Sequence, residues 1–169
     1  MRRLVKHNSP SGGRRNSLWD VYRTVNFWKV VRNFIVIQIS RYLPFLSMKR
    51  WLYRRILGIK IGEYTSFALM VMPDLFFPER ITIGRNCIIG YNTTILAHEY
   101  LIHEYRLGDV KIGDEVMIGA NCTILPGIVI GDRAIVAAGS VVHRDVLPDS
   151  FVGGIPLRDL KENHELRER

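Results

Sequence analysis

From Ile112 onward an aliphatic residue returns at every sixth position: Ile112, Ile118, Ile124, Ile130, Val136 and Val142. Three such blocks bring the chain back to the same wall of a coil. This is the pattern of a parallel β-helix, a solenoid whose coils stack through main-chain hydrogen bonds. The first residue of each block is expected to point inward and to sit about 4.8 Å from its counterpart in the next coil. The second is commonly Gly (Gly113, Gly119, Gly131), which suits a tight corner. The fifth is small or aliphatic: Val116, Cys122, Ile128, Ala134, Ser140 and Val146. Neither a 3.6-residue period nor simple alternation produces these three columns together.

Ile83, Ile89 and Ile95 carry the same register upstream, with Gly84 and Gly90 again second in their blocks. From Ile83 to Ile112 the spacing is longer than one coil, which predicts an insertion after Ala97 that occupies about residues 98–111. A less regular coil starts at Ile61. The chain is therefore expected to be mainly β, with about four coils over residues 61–147 and one inserted loop. Both ends of a solenoid expose unpaired edges and need covers. Residues 148–169, ending LKENHELRER, are expected to form a C-terminal cap and tail. Residues 17–60 read as an α-helical extension. One helix is expected from a Ser17 cap to about Arg41, ending before Pro44, and a second from Ser47 to Leu57. Residues 1–16, MRRLVKHNSPSGGRRN, read as a disordered basic tail.

Charge sharpens this division. Residues 1–60 hold fourteen Lys or Arg against a single acid, Asp20, whereas the rest of the chain holds ten against fifteen, so the net +8 belongs to the extension. In MKRWLYRRIL, a helix places Met48, Trp51, Leu52 and Ile56 on one face and Lys49, Arg50 and Arg54 largely on the other. Two readings fit: helices packed on the solenoid end with their charges outward, or peripheral contact with the inner face of an anionic membrane. No nucleic-acid-binding motif accompanies the basic residues, so nucleic acid is not an expected partner. Cys87 and Cys122 both fall fifth in a block and read as small core residues. No apolar run approaches the ~18 residues of a membrane span, and Phe34–Ser40 is too short and too internal for a leader, so a cytoplasmic protein is expected.

The run IGDEVMIGANCTILPGIVIGDRAIVAAGSVVHRDV, followed by GGIPLR and preceded by an inserted loop that opens with His98, resembles the hexapeptide-repeat acyltransferases, specifically the maltose and galactoside O-acetyltransferase type. The resemblance covers about Ile61 to Arg158. It implies a left-handed β-helix assembled as a homotrimer, with acetyl-CoA lying as cosubstrate between adjacent solenoids and no metal. By its position in AHEY, His98 is similar to the family's catalytic base. Imidazole suits that task because its ordinary pKa of about 6.5 leaves it mostly neutral at cytosolic pH. An acid or carbonyl is expected to fix its tautomer, with Glu99 and Glu104 the nearby candidates.

On the coenzyme side the resemblance implies Ala120, Ala138, Gly139, His143, Arg144 and Arg158, with Met117 where the sugar acetyltransferases carry an aromatic. The small residues would admit the pantetheine arm to the backbone, and the arginines would meet phosphates. On the acceptor side His103, Asn92 and Met70 are the candidates. The coil around Met70 reads FALMVM where the family has an acceptor-contacting Asn, which points away from a free sugar and toward a hydrophobic or membrane-linked saccharide. His7 and His164 lie in tails.

Two other functions are compatible with a solenoid. His98 and His103 have a spacing that superficially fits a zinc enzyme like the γ-class carbonic anhydrases, but no His precedes them in the solenoid to complete three ligands. A non-catalytic scaffold would have no need of His98, Arg144 and Arg158 at matching positions.

Overall fold

The computed structural model describes residues 2–12 and 14–160. Three parallel walls form the solenoid. The first stacks Lys60–Ile61, Ile81–Ile83, Val110–Ile112 and Val129–Ile130. The second stacks Ser66–Phe67, Ile88–Ile89, Met117–Ile118, Ile135–Val136 and Phe151–Gly153. The third stacks Met72–Pro73, Thr94–Ile95, Thr123–Ile124 and Val141–Val142. Ile61 pairs with Ile83, Ile83 with Ile112 and Ile112 with Ile130, so the unequal sequence spacings resolve into one register. The first-position residues and the fifth-position column from Cys87 through Val146 are buried together as the core.

The glycines at second position act differently from the expectation. None of Gly84, Gly90, Gly113, Gly119 and Gly131 has positive φ; the left-handed residues stand two places later, at Asn86 (52°), Asn92 (54°), Glu115 (59°), Asn121 (56°) and Arg133 (56°). The second position excludes a side chain because the next coil lies against it. A Cβ on Gly119 would stand 2.5 Å from the nitrogen of Ala138. The corner is turned by residues such as Asn, whose short polar side chain tolerates the left-handed region.

The helices also depart from expectation. Ser17–Asp20 is a 3-10 turn, followed by α1 (Val21–Thr24), α2 (Phe27–Tyr42) and α3 (Leu46–Arg55). The single long helix expected from Ser17 is broken at Val25–Asn26. There Asn26 caps α2, its Oδ1 accepting from the N–H groups of Trp28 (2.9 Å) and Lys29 (3.3 Å). Ser17 caps nothing with its side chain; its hydroxyl donates to the carbonyl of Leu101 at 2.5 Å.

α2 and α3 cover the open edge of the first coil and supply the donors that its carbonyls lack. Lys49 Nζ donates to the carbonyls of Phe67 (3.2 Å) and Ala68 (2.8 Å), Tyr53 Oη to Val71 (3.2 Å) and Asn33 Nδ2 to Leu75 (2.8 Å). In return the N–H of Met70 donates to the carbonyl of Arg41. Lys49, expected on an outward polar face, is therefore 1 % exposed, and burial pushes its ammonium below the ordinary lysine range. The division drawn across α3 does not hold: Met48 and Trp51 are exposed, whereas Leu52 and Ile56 pack partly against the core.

The described residues among 1–16 are ordered, unlike the disordered tail expected. Val5–Asn8 forms a strand antiparallel to Glu104–Leu107 of the inserted loop. Asp20 organises the segment after this strand: its buried carboxylate accepts from Ser9 Oγ (3.0 Å), Ser11 N–H (3.0 Å) and Arg15 Nη2 (2.7 Å). At the other end Phe151–Gly153 pairs with Arg158–Asp159. Residues 161–169, with His164 and most of the charged tail, lie outside the described residues. No helix among the described residues is long and apolar enough to cross a membrane.

These contacts predict two outcomes. Gly119→Ala should cost about 1–3 kcal/mol in urea denaturation, since the added methyl meets backbone that cannot swing aside. The hydrogen bond from Ser11, against an opposing push from burial and with further help from Arg15 and Ser9, holds Asp20 down at about 2. A depressed carboxylate stabilises the fold above the unfolded value of about 3.9 and loses that contribution as pH falls toward 2. Wild-type melting temperature should therefore drop through that window, and Asp20→Asn should start lower at neutral pH and show a shallower acid decline.

Candidate active site

The inserted segment is a β-hairpin, His98–Tyr100 against Glu104–Leu107, that springs from the corner after the third wall. Its root is fixed by a residue from the previous coil. Asp74 follows Met72–Pro73, and because Pro73 pairs with Ile95, Asp74 lies beside the start of the hairpin. Its buried carboxylate accepts four hydrogen bonds. Oδ1 takes the N–H groups of Phe76 (2.9 Å) and Phe77 (2.8 Å), and Oδ2 takes the N–H of Ala97 (2.6 Å) and Nδ1 of His98 (2.6 Å).

Burial pushes the Asp74 carboxyl up, but the hydrogen bond and charge of His98, joined by the N–H groups of Phe77 and Ala97, bring it to rest below the usual carboxylate range. An ionised carboxylate only accepts, so Nδ1 of His98 carries a proton toward Asp74, and in the neutral ring the lone pair then lies on Nε2. The ring is packed by Phe76, Tyr100 and Phe77, with centroids at 4.9, 5.3 and 6.0 Å. Tyr100 is held by Thr24, the two hydroxyl oxygens standing 2.7 Å apart, and stacks on Tyr105, which stacks on His7. Burial raises the Tyr100 phenol, so it remains neutral beside the imidazole. In its neutral form an imidazole oriented in this way by a buried acid can accept a proton from a hydroxyl.

Neither acid expected from sequence proximity holds the ring. Glu99 pairs with Arg2 and Glu104 with Arg106. The orienting acid was missed because it stands a full coil earlier in the chain. The signal was the register itself, which brings residue 73 opposite residue 95.

The remaining candidates divide among separate corners. Met70, Asn92 and Gly139 occupy equivalent places at the corner between the second and third walls, all with positive φ (64°, 54° and 72°). Asn92 Nδ2 donates to Asn121 Oδ1 at 3.0 Å, and Gly139 N–H donates to the carbonyl of Ala120 at 2.8 Å, with Ala138 exposed beside it. Met70 is half-buried where its corner meets the end of α2. Within one chain the third wall separates this corner from His98. His143 and Arg144 follow the third wall in the last coil, both exposed, with Arg144 Nη2 donating to the carbonyl of Leu157 at 3.1 Å. Arg158 is exposed on the terminal strand. Met117 faces outward from the second wall between Ile88 and Ile135, an apolar column. His103 is exposed at the hairpin turn, where its carbonyl accepts from the N–H of Ser9. Among the described residues no three His, Cys, Asp or Glu side chains converge as a metal site.

Comparison with known proteins places this geometry. The family described as "Hexapeptide repeat of succinyl-transferase" matches residues 80–97 and 109–144. "Putative acetyltransferase YvoF" of Bacillus subtilis (strain 168) is 64% identical over 169 residues, spanning 100% of this chain and 96% of that protein. The chain belongs to the hexapeptide-repeat acetyltransferases. The galactoside O-acetyltransferase of Escherichia coli (strain K12) is 32% identical over 114 residues, 62% of this chain and 54% of that one. Among solved structures, a hexapeptide-repeat acetyltransferase of Vibrio cholerae O1 biovar eltor complexed with acetyl coenzyme A superposes with a TM-score of 0.67 at 27% identity, covering 79% of this chain and 86% of that chain. This likeness gives the coils the left-handed β-helical form of the family.

Proposed function

We propose that this acetyltransferase moves an acetyl group from acetyl-CoA to a hydroxyl of a sugar or saccharide-containing acceptor, with His98 as general base and Asp74 as the residue that positions it. The observation that carries the reading is the 2.6 Å contact between Asp74 Oδ2 and His98 Nδ1, which leaves Nε2 as the basic nitrogen. Bound acetyl-CoA supplies an activated acetyl thioester. His98 Nε2 takes the acceptor's hydroxyl proton as its oxygen attacks the thioester carbon, and returns that proton to the departing sulfur. Asp74 stays ionised and stabilises the transient imidazolium.

The residues fit the coenzyme. A Cβ placed on Gly139 would meet no atom within 4 Å, and Ala120 and Ala138 leave the same corner free of bulk, so an extended arm can approach the backbone there. Arg144 and Arg158 are exposed guanidinium groups suited to phosphates. Because that corner and His98 are separated within one chain, the reading joins them across subunits. One copy gives the coenzyme corner, its neighbour gives the imidazole, and the outward column of Ile88, Met117 and Ile135 is covered in a homotrimer. Met70, Asn92 and His103 are the acceptor-side positions of the same scheme, and the structural relative solved with acetyl-CoA supports the donor.

His98→Ala should lower thiol release from acetyl-CoA by about 10²- to 10⁴-fold while leaving coenzyme binding and subunit assembly intact. Asp74→Asn should lower kcat by at least about 10²-fold with KM for the coenzyme little changed, because the wrong tautomer is then held. Assays against panels of sugars, aminosugars and lipid-linked saccharides identify the acceptor. Unchanged turnover in His98→Ala defeats the assignment.

A further inference from the structure

The helical cap has two apolar faces, and the solenoid uses one of them. α2 turns Val30, Asn33, Val36, Ile37 and Ser40 inward. On the opposite side Trp28, Ile35, Ile39 and Tyr42 are exposed in one line about 20 Å long, with Trp28 at 73 % and an aromatic ring at each end. The apolar surface continues through exposed Phe45 and Leu46 into α3, where Met48 and Trp51 also face outward. A patch of this size, uncovered by any part of the described chain, marks an interaction surface.

Its charge selects the partner. The only acid in residues 1–60, Asp20, is buried and hydrogen-bonded to Ser9, Ser11 and Arg15, so the surface of the cap carries no exposed carboxylate of its own. On α3 a shallow pocket of about 240 Å³ is lined by Ser47, Arg50, Trp51, Arg54 and Arg55. None of its three arginines is in an ion pair among the described residues, and Arg50 Nε is buried without a hydrogen-bond partner. Aromatic ends, an aliphatic middle and unpaired guanidinium groups match the boundary between lipid phosphates and acyl chains.

We propose that the outward face of α2 and α3 docks on an anionic lipid surface, with the arginine-lined pocket receiving a lipid phosphate. The N-terminal end of α2, with the preceding α1, reaches the hairpin. Lys29 stands 5.3 Å over the ring of Phe77, which packs on His98, and Thr24 contacts Tyr100. Trp28 is exposed at that same end of α2, so docking turns the hairpin toward the headgroup layer, where a membrane-linked saccharide would present its hydroxyls; this last step rests on the function proposed above.

Vesicle flotation of the full chain tests the docking. Wild type should float with vesicles containing about one-third phosphatidylglycerol, remain behind with phosphatidylcholine alone, and release near 1 M salt. The triple variant Trp28→Ser, Ile35→Ser, Ile39→Ser alters only exposed side chains and should lose at least about tenfold in partitioning, as should Arg54→Glu with Arg55→Glu, each with unchanged circular dichroism. His98→Ala should float like wild type, so loss of turnover and loss of docking are separate results. Failure of wild type to float, flotation of the triple variant equal to wild type, or a smaller oligomer in that variant overturns the proposal. The last outcome would make the face a contact between copies.

Discussion

Each coil of this protein is held by main-chain hydrogen bonds to the coils before and after it, and the first coil has nothing before it. That vacancy organises α2 and α3. An uncovered solenoid edge leaves carbonyls without donors and invites pairing with another chain. α2 and α3 close it with side chains: Lys49 on Phe67 and Ala68, Tyr53 on Val71, Asn33 on Leu75. An ammonium buried without a carboxylate is costly in isolation. Here two carbonyl dipoles that would otherwise be orphaned receive it, so one contact resolves two unfavourable burials.

The same ladder builds the site. Parallel stacking puts residues a whole coil apart side by side, and the 22-residue first coil brings Asp74 to the root of the hairpin that carries His98. Two of the four bonds to Asp74 come from its own turn, at Phe76 and Phe77, and one from Ala97 in the next coil. Three backbone groups thus fix the carboxylate before the imidazole meets it. The orientation of His98 is set by the coils of the solenoid, even though the histidine belongs to an insertion. The Val5–Asn8 strand braces the outer edge of the hairpin, with His7 stacked on Tyr105, and Thr24 meets Tyr100.

The range of the forces involved decides which features were legible in the sequence. The inward columns were legible because burial repeats with the coil, and every member of the fifth-position column from Cys87 to Val146 is buried. The glycines were found for an incomplete reason. Their period was visible, but the steric demand comes from backbone atoms one coil away, while the left-handed turn falls on Asn86, Asn92, Glu115, Asn121 and Arg133. The place of His98 at the start of the insertion was legible from the register. Asp74 could not be found by looking nearby, because Glu99 and Glu104 are close in sequence but committed to Arg2 and Arg106. The order in residues 2–12 was hidden for a similar reason: it depends on a strand partner about a hundred positions on and on Asp20, and composition reports neither.

Lys49 shows why a helical wheel drawn from sequence misassigned α3. A wheel sorts residues by hydropathy and assumes that the buried side is apolar. The surface α3 covers is a coil edge made of carbonyls, so the buried side needs donors, and Lys49 and Tyr53 are on it. Once those polar groups turn inward, the helix's periodicity carries Met48 and Trp51 outward with Arg54 and Arg55. The exposed aromatic and basic surface is thus the geometric consequence of capping a polar edge. The same inversion does not hold for α2, whose inward face is mostly apolar and includes Val30, Val36 and Ile37. Its outward Trp28, Ile35, Ile39 and Tyr42 are therefore not a consequence of capping the edge.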